Sequence, residues 1–154
     1  MPGTNVTAMG EDAAHQLLAV SAAGRTGVCV GVDVVEVGRF RRVMERRGGL
    51  AARLFTPGEL AYAARFADPA PQLAARFAAK EAAMKALGVG LGAVSFREVE
   101  VARAESGEPA LVLSARSAKL AQERGVVAWA LSLTHTALVA AAVVVGIPDP
   151  SLRR

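Results

Sequence analysis

The sequence is poor in cysteine and in aromatic residues, and each shortage limits what the chain can be. One cysteine, Cys29, is present among 154 residues, so neither a disulfide framework nor a thiolate metal cluster can form within the chain. Aromatic residues make up 5% of the sequence while hydrophobic residues make up 53%, so the core must consist mainly of Ala, Val and Leu. Cys29 lies in an apolar run, which favours a small buried side chain.

Long hydrophobic runs are also missing. The longest apolar stretch near the C-terminus, residues 138–147, has about half the ~20 residues that a membrane-spanning helix needs. The N-terminus lacks a basic region followed by an apolar core and a cleavage site, so the sequence predicts no signal peptide. We therefore predict a soluble cytoplasmic protein.

The net charge of the chain is positive and comes mainly from arginine. The net charge is +4, and the only lysines are Lys80, Lys85 and Lys119. A basic surface suits nucleic acid, anionic lipid, a phosphorylated cofactor or an acidic protein, so charge alone does not choose among them. Few aromatics, few lysines and no recognised nucleic-acid motif argue against a nucleic-acid-binding module.

The pattern of the chain predicts one domain with an extension at each end. We divide the sequence into an N-terminal extension, 1–26, a domain, 27–147, and a C-terminal tail, 148–154. Within the extension, residues 11–20 have the spacing of a short helix. Further helices are predicted over 39–47, 56–67, 72–87 and 117–124, and strands over 28–35, 96–102, 110–113, 126–134 and 137–145. The helix at 56 begins with a capping box of Thr56 and Glu59.

An acidic residue interrupts the first predicted strand. Asp33 lies among valines, where a carboxylate is costly unless something pairs with it. Metal coordination is one way to satisfy Asp33, and a hydrogen-bonded structural role at the strand end is the other. This segment alone leaves both interpretations open.

A second group of charged residues lies on the longest predicted helix. Phe77, Glu81 and Lys85 follow one another at four-residue spacing, so they share a face, and Arg76 and Lys80 lie on the neighbouring stripe. The simplest interpretation is an exposed ion pair between Glu81 and Lys85 that contributes a few tenths of a kcal/mol.

Three features favour a role in binding metal and phosphate over a surface ion pair. First, alanines surround the charged residues and let another surface approach closely. Second, a glycine-rich loop follows the helix and can offer backbone amides to phosphate oxygens. Third, Asp33 is a second acidic residue and lies in a preceding strand. Asp33 and Glu81 could together hold magnesium while leaving positions for phosphate oxygens and water. Nearby Lys and Arg side chains would neutralise the remaining phosphate charge.

Several segments resemble the signatures of one family. Residues 31–37 with Arg39 resemble the opening strand of the holo-acyl-carrier-protein synthase family of phosphopantetheinyl transferases, and 76–82 with 85–88 resemble its second signature. The resemblance continues through 96–101, 107–109, 131–136 and 140–145, so that it covers roughly 27–147. Each motif alone is moderately specific, but several in the right order make a strong match.

The resemblance implies a fold and an activity. The fold would be the α+β 4'-phosphopantetheinyl transferase fold, an antiparallel sheet packed by helices, of the small type that forms trimers with active sites between adjacent chains. The activity would be transfer of the 4'-phosphopantetheine group of coenzyme A to a serine of an apo acyl carrier protein, releasing adenosine 3',5'-bisphosphate. The metal would be Mg²⁺, with Mn²⁺ as an alternative, and the acidic carrier would serve fatty-acid or polyketide biosynthesis.

The resemblance also implies roles for individual residues. Asp33 and Glu81 would bind the metal and act with Lys85 in catalysis, and either Glu81 or a metal-bound water would accept the serine proton. The residues implied in binding coenzyme A are Arg76, Lys80, Lys85, Gly88, Gly90, His135 and Thr136. The residues implied in docking the carrier protein are Arg39, Arg42 and Arg46, on the basic helix after the first strand.

The sequence departs from the family pattern in two places. Val89 stands in the glycine-rich loop where relatives often have a threonine, so a hydroxyl contact to phosphate would be missing. Phe40 replaces the more usual isoleucine beside Arg39.

Other interpretations stay open at this point. A carrier-binding domain that has lost catalysis would share the fold, although intact Asp33, Glu81 and Lys85 argue against it. His135 alone indicates a strand-end histidine satisfied by backbone groups. Zinc is not predicted, because the other histidine, His15, lies in the predicted extension.

Overall fold

The computed structural model describes residues 27–90 and 92–152, so the predicted extension and its helix over 11–20 lie outside the described residues. The strands are β1 (Cys29–Glu36), β2 (Val99–Arg103), β3 (Pro109–Leu113), β4 (Val126–His135) and β5 (Val139–Pro148). The helices are α1 (Val37–Arg46), α2 (Leu50–Leu54), α3 (Pro57–Ala63), α4 (Ala70–Ala86) and α5 (Ala115–Glu123), with 3₁₀ turns at Phe96–Glu98 and Pro150–Leu152.

A three-stranded sheet and one long helix form the centre of the fold. The sheet is antiparallel with strand order β1-β5-β4, and β2 pairs with β3 in a separate antiparallel hairpin. Helix α4 packs across all three strands of the sheet, over a core made largely of alanine and valine. This arrangement confirms the predicted α+β fold with an antiparallel sheet packed by helices.

Strand β1 approaches helix α4 too closely for a side chain at position 31. A Cβ atom on Gly31 would lie 1.8 Å from the carbonyl oxygen of Ala82. A larger residue would therefore push the strand and helix apart. The close approach also brings Asp33, two residues further along the same face of β1, within reach of Lys85 on the helix.

The two faces of the three-stranded sheet differ in burial. One face packs against α4, whereas the other carries exposed apolar side chains. We call this second surface the open valine face; it consists of Val30, Val32, Val34, Val143 and Ile147, which are 42% to 62% exposed. The register pairs Val32 with Val143, which places both strands' valines on the same side. No described residue covers this face.

Most predicted elements are confirmed, with shifted boundaries. The capping box of Thr56 and Glu59 is present, although α3 ends at Ala63, earlier than predicted. The prediction of a strand from residue 96 is wrong over its first three residues, which form a 3₁₀ turn. The cause is tertiary: the Lys80 ammonium donates to the carbonyl oxygens of Phe96 and Val99 and holds the chain in that turn. Among the described residues, no helix has the length and apolar character needed to cross a membrane.

Candidate active site

A cavity of about 770 Å³ opens where β1 ends, between α1, α2 and α4. Its polar lining includes Asp33, Glu36, Arg39 and Glu81. Its apolar lining is Val34, Val35, Phe40, Val43, Met44, Leu50, Leu54, Phe77 and Phe96. Three carboxylates and one guanidinium at the side of a largely apolar cleft are typical of a ligand site.

Asp33, which lines the cavity, pairs with Lys85, and the sequence predicted each of them separately as a site residue. The Lys85 ammonium lies 2.8 Å from the Asp33 carboxylate and also donates to the carbonyl oxygen of Val32 at 3.1 Å. The Lys85 side chain is 53% exposed, while that of Asp33 is 17% exposed. Lys85 therefore pairs with the strand carboxylate, and the simple prediction of a Glu81–Lys85 surface pair is wrong.

Glu81 lies close enough to Asp33 for the two carboxylates to repel. Burial raises the pKa of Glu81, the Asp33 charge raises it further, and the Lys85 charge opposes both. Two carboxylates that share a site and destabilise each other's charged forms favour a bound cation.

The residues present fit a hard divalent cation with an incomplete set of protein ligands. No group of three or more His, Cys, Asp or Glu side chains in the described parts of the chain could hold a metal ion by itself. Two carboxylates are nevertheless enough for magnesium, which keeps several waters and takes substrate phosphate oxygens as further ligands. Asp33 and Glu81 supply such a pair.

Lys80 does not belong to the open site, and the prediction that it binds coenzyme A is wrong. Its side chain is 0% exposed and pairs with Glu59, whose carboxylate lies 2.8 Å from the ammonium. The remaining donors of Lys80 bind the carbonyl oxygens of Phe96 and Val99 at 2.8 and 2.6 Å. With these contacts the ammonium is fully engaged inside the protein and cannot meet a phosphate.

Glu59 is a buried residue that sequence reasoning assigned only to a helix cap. Its carboxylate accepts hydrogen bonds from the backbone amides of Thr56 at 2.9 Å and Val101 at 3.0 Å, in addition to the Lys80 pair. Every polar group of the Glu59–Lys80 pair has a partner, and the pair ties α3, α4 and β2 together. The capping-box signal located Glu59 at the helix start, but it gave no hint of the lysine.

Arg76 is buried against an aromatic ring. Its guanidinium lies 4.0 Å from the centre of the Tyr62 ring and donates to the carbonyl oxygen of Gln72 at 3.3 Å. Burial lowers the pKa of Arg76, although Tyr62 and Glu59 act in the opposite direction. The buried Nε atom of Arg76 has no hydrogen-bond partner among the described residues.

The other residues predicted to bind the nucleotide lie away from the carboxylates. His135, at the end of β4, contacts Gln72 with 3.1 Å between their Nε2 atoms. Gln72 precedes Glu81 by nine residues on α4, which is about 13.5 Å along the helix axis. The Thr136 hydroxyl accepts from the amides of Leu138 and Val139 in the β4–β5 turn.

The glycines of the loop after α4 lie at the other end of the helix. Gly88 has a φ of +61°, a conformation that favours glycine, and Gly90 is open to a ligand because an added Cβ would meet nothing within 4 Å. The predicted coenzyme A residues thus fall at both ends of α4, and one chain does not bring them together.

The predicted docking helix presents its arginines outward. Arg39 lines the cavity, and Arg39, Arg42 and Arg46 are all exposed. Arg42 lies 3.8 Å from Glu36, an exposed and weak ion pair.

Comparison with known proteins agrees with the geometry. The model of the 4'-phosphopantetheinyl transferase superfamily matches residues 29–143. A holo-[acyl-carrier-protein] synthase of Moorella thermoacetica is 47% identical over 113 residues, which are 73% of this chain and 88% of the relative.

Solved structures show the same similarity. The ACPS–CoA complex of Chronobacterium ammoniagenes superposes with a TM-score of 0.72 at 32% identity, covering 80% of this chain and 98% of that one. A holo-(acyl-carrier-protein) synthase from Bacillus anthracis in complex with CoA (3',5'-ADP) has a TM-score of 0.65 at 30% identity, covering 79% and 96%. The chain belongs to the holo-[acyl-carrier-protein] synthase family of 4'-phosphopantetheinyl transferases, and it is an enzyme.

Proposed function

We propose that this enzyme transfers the 4'-phosphopantetheine group of coenzyme A to a serine of an apo acyl carrier protein. The serine oxygen forms a bond to the β-phosphorus of coenzyme A, the bond from that phosphorus to the leaving oxygen breaks, and adenosine 3',5'-bisphosphate departs. The observation that carries this proposal is the meeting of Asp33, Glu81 and Lys85 beside a cleft of about 770 Å³ that Asp33 and Glu81 line.

Asp33 and Glu81 are the residues that we propose for holding Mg²⁺, with Mn²⁺ as an alternative. When bound, such an ion would neutralise pyrophosphate charge and favour departure of the leaving group. Glu81 has no ion pair or hydrogen bond among the described residues. If one of its carboxylate oxygens binds the metal, the other is available to accept the serine proton.

Lys85 is the residue that we propose for contacting the pyrophosphate. Its ammonium neutralises Asp33 in this structure, but half of its side chain is exposed and its stem is flexible. A cation bound to Asp33 would neutralise this carboxylate in place of the Lys85 ammonium. The ammonium could then turn toward the phosphate oxygens and neutralise charge that the metal leaves.

Residues at both ends of α4 are proposed to bind the rest of coenzyme A. The list retained from the sequence is Arg76, Gly88, Gly90, His135 and Thr136, without Lys80. Because these residues do not converge within one chain, we propose that a site is completed by a neighbouring copy.

The neighbouring copies would pack on the open valine face. An exposed apolar patch of this kind marks an interaction surface, because monomeric proteins seldom leave one open to water. We propose a homotrimer in which copies of this chain cover the patch. Static light scattering of Val30→Asp should give the monomer mass, whereas Val112→Asp, at an exposed valine of β3 outside the patch, should keep the mass of the wild type. A wild-type chain with monomer mass would contradict the trimer.

Helix α1 is proposed to dock the carrier protein through Arg39, Arg42 and Arg46. Arg39→Glu should weaken carrier binding more than coenzyme A binding, and equal losses would contradict this division of roles. We propose fatty-acid or polyketide synthesis as the carrier's process. The cytoplasm is our proposed compartment, and the free Cys29 is consistent with its reducing conditions.

Mass spectrometry of the intact carrier tests the proposed reaction. An apo carrier incubated with the enzyme, coenzyme A and magnesium should gain about 340 Da, the phosphopantetheine increment expected from the transfer chemistry. The gain should disappear with EDTA. Binding of coenzyme A without any gain on fatty-acid and polyketide carriers would contradict the transferase proposal and favour a domain that has lost catalysis.

A further inference from the structure

Lys80 joins helix α4 to one wall of the cavity, although it does not line the cavity itself. Its ammonium donates to the carbonyl oxygens of Phe96 and Val99 at 2.8 and 2.6 Å, and it lies 2.8 Å from the Glu59 carboxylate. An ammonium has three N–H donors, so three fixed acceptors use all of them. Lys80 therefore fixes α4 relative to the Phe96–Glu98 turn.

Phe96, which accepts one of these hydrogen bonds, forms part of the apolar wall of the cavity. Its ring stacks on the ring of Phe77, with 5.3 Å between the ring centres and 10° between their planes. Phe77 lies one turn before Glu81 on the same face of α4, and Phe77, Phe96 and Glu81 all line the cavity. The position of the Phe96 ring therefore shapes the cavity beside the Glu81 carboxylate.

The two ends of the Phe96–Glu98 turn are anchored by different residues. The carbonyl oxygen of Glu98 accepts from the Ser117 hydroxyl at 2.6 Å and from the Ser114 amide at 2.9 Å. At the other end, the carbonyl oxygen of Phe96 accepts from the Lys80 ammonium. Loss of Lys80 would leave the Glu98 end anchored and would release the Phe96 end from α4. We therefore expect a displaced Phe96 ring rather than an unfolded turn.

Lys80 also directly precedes Glu81 on the helix. With 3.6 residues per turn, successive side chains leave a helix about 100° apart. Anchoring Lys80 toward β2 thus fixes the direction in which Glu81 leaves α4, close enough to Asp33 for the two charges to interact.

We propose that Lys80 is a positioning residue for the transfer reaction, which holds the Phe96 ring and the Glu81 carboxylate in place without contacting either substrate. The inference rests on the proposed function. It replaces the overturned role of Lys80 in binding coenzyme A with an indirect role in the rate of transfer.

Two variants separate this role from the stability of the buried pair. Glu59→Gln removes the counter-charge but keeps the lysine. Burial lowers the pKa of Lys80, and even an uncharged amine has two N–H groups for the two carbonyl oxygens. Glu59→Gln/Lys80→Met removes those donors as well. Both variants should lose stability, but only the double variant should lower kcat, by roughly 10- to 100-fold, the scale of a ~1 Å misplacement near the chemistry.

Steady-state kinetics with each substrate varied separately measure the effect. The KM for coenzyme A of the double variant should match the wild type, because the residues proposed to bind the nucleotide and the pyrophosphate are unchanged. A displaced wall should therefore appear in kcat at saturating substrates. The assays are run well below the melting temperature of every variant, measured by circular dichroism, so that unfolded protein does not contribute to the loss.

A third change tests the route through the cavity wall. Phe96→Ala should lower kcat by itself. Added to Glu59→Gln/Lys80→Met, it should cause little further loss, because both changes remove the same ring from its position and coupled sites are not additive. Losses in kcat that multiply would show that Lys80 does not act through Phe96 and would overturn the inference.

The remaining outcomes are distinct from those of the transfer assay. If the wild type modifies the carrier and the kcat of the double variant equals that of Glu59→Gln, Lys80 has a structural role alone, and the inference fails while the proposed function stands. A raised KM for coenzyme A with an unchanged kcat would also overturn it. Failure of the wild type to modify any carrier would contradict the proposed function itself.

Discussion

Helix α4 contributes the lysine to two acid–lysine pairs that have the same N–O distance, one buried and one at the edge of the cavity. Lys80 and Glu59 lie 2.8 Å apart with both side chains 0% exposed, whereas Lys85 and Asp33 lie 2.8 Å apart at the edge of the cavity. Five residues separate the two lysines, so their side chains point to different sides of the helix.

The difference between the pairs lies in what else each group contacts. The buried pair is saturated by backbone groups: Lys80 donates to two carbonyl oxygens, and Glu59 accepts from two amides. The open pair has a third charged neighbour, Glu81, whose carboxylate the pair does not satisfy. Saturated charges hold elements together, while unsaturated charges at a cleft are available for chemistry.

The largest expected effect is on catalysis at the open pair. Asp33→Asn and Glu81→Gln should each lower the rate of carrier modification by about 10³-fold, the scale of losing one charge-stabilising group, because each removes a carboxylate proposed for the metal. Mass spectrometry of the carrier over time measures the rate. Full activity in either variant would remove that residue from the metal site.

The next largest effect is on stability at the buried pair. Lys80→Met should lower the free energy of unfolding by about 3–5 kcal/mol, since the Glu59 carboxylate would stay buried without its counter-charge. Urea denaturation followed by circular dichroism measures this change.

Two further variants sharpen that result. Glu59→Gln/Lys80→Met should lose less stability than Lys80→Met alone, because no isolated charge remains. Lys119→Met should change stability by less than about 0.5 kcal/mol, since Lys119 and Glu123 form an exposed pair at 3.9 Å. An equal loss from Lys80→Met and Lys119→Met would show that burial of the first pair does not matter.

Local patterns in the sequence predicted most helices and strands of this fold but not the long-range side-chain contacts between them. The alternating valines, the capping box at Thr56 and the glycines at 88 and 107 each act within a few residues, so their positions can be read along the chain. The 3₁₀ turn at Phe96–Glu98 depends on Lys80, which lies 16 residues before Phe96. A contact at that distance leaves no local signal.

The candidate site shows the same division. The four-residue spacing placed Glu81 and Lys85 on one face, the isolated acid in the preceding strand suggested Asp33 as a second carboxylate for magnesium, and the family resemblance supported that pairing. The same resemblance placed Lys80 among the coenzyme A ligands, because an exposed lysine and a buried lysine look alike in a sequence. Lys80 is the buried lysine because it pairs with Glu59, and only folding brings Glu59 beside it.

A smaller effect is expected from the open lysine. Lys85→Met should raise the KM for coenzyme A by roughly tenfold, about 1.4 kcal/mol of binding, because the proposed phosphate contact is lost. Its free energy of unfolding should change by less than about 1 kcal/mol, because the ammonium of this pair is half exposed and screened by solvent. Titration of coenzyme A by calorimetry checks the first value, and a raised KM for the carrier instead would move Lys85 to the docking surface.

The smallest expected effect is a change in how stability depends on pH. Burial and the Asp33 charge raise the pKa of Glu81 in the folded chain above its ordinary value of 4.5, so the folded state binds a proton more readily than the unfolded state. Stability of the metal-free protein should therefore fall as the pH rises from the ordinary pKa of glutamate through the raised pKa of Glu81. Glu81→Gln should remove this contribution, and Asp33→Asn should reduce it. Urea denaturation at several pH values in EDTA measures the slope. A slope that is unchanged in both variants would show that the two carboxylates do not interact, and the comparison between a saturated and an unsaturated pair would lose its electrostatic basis.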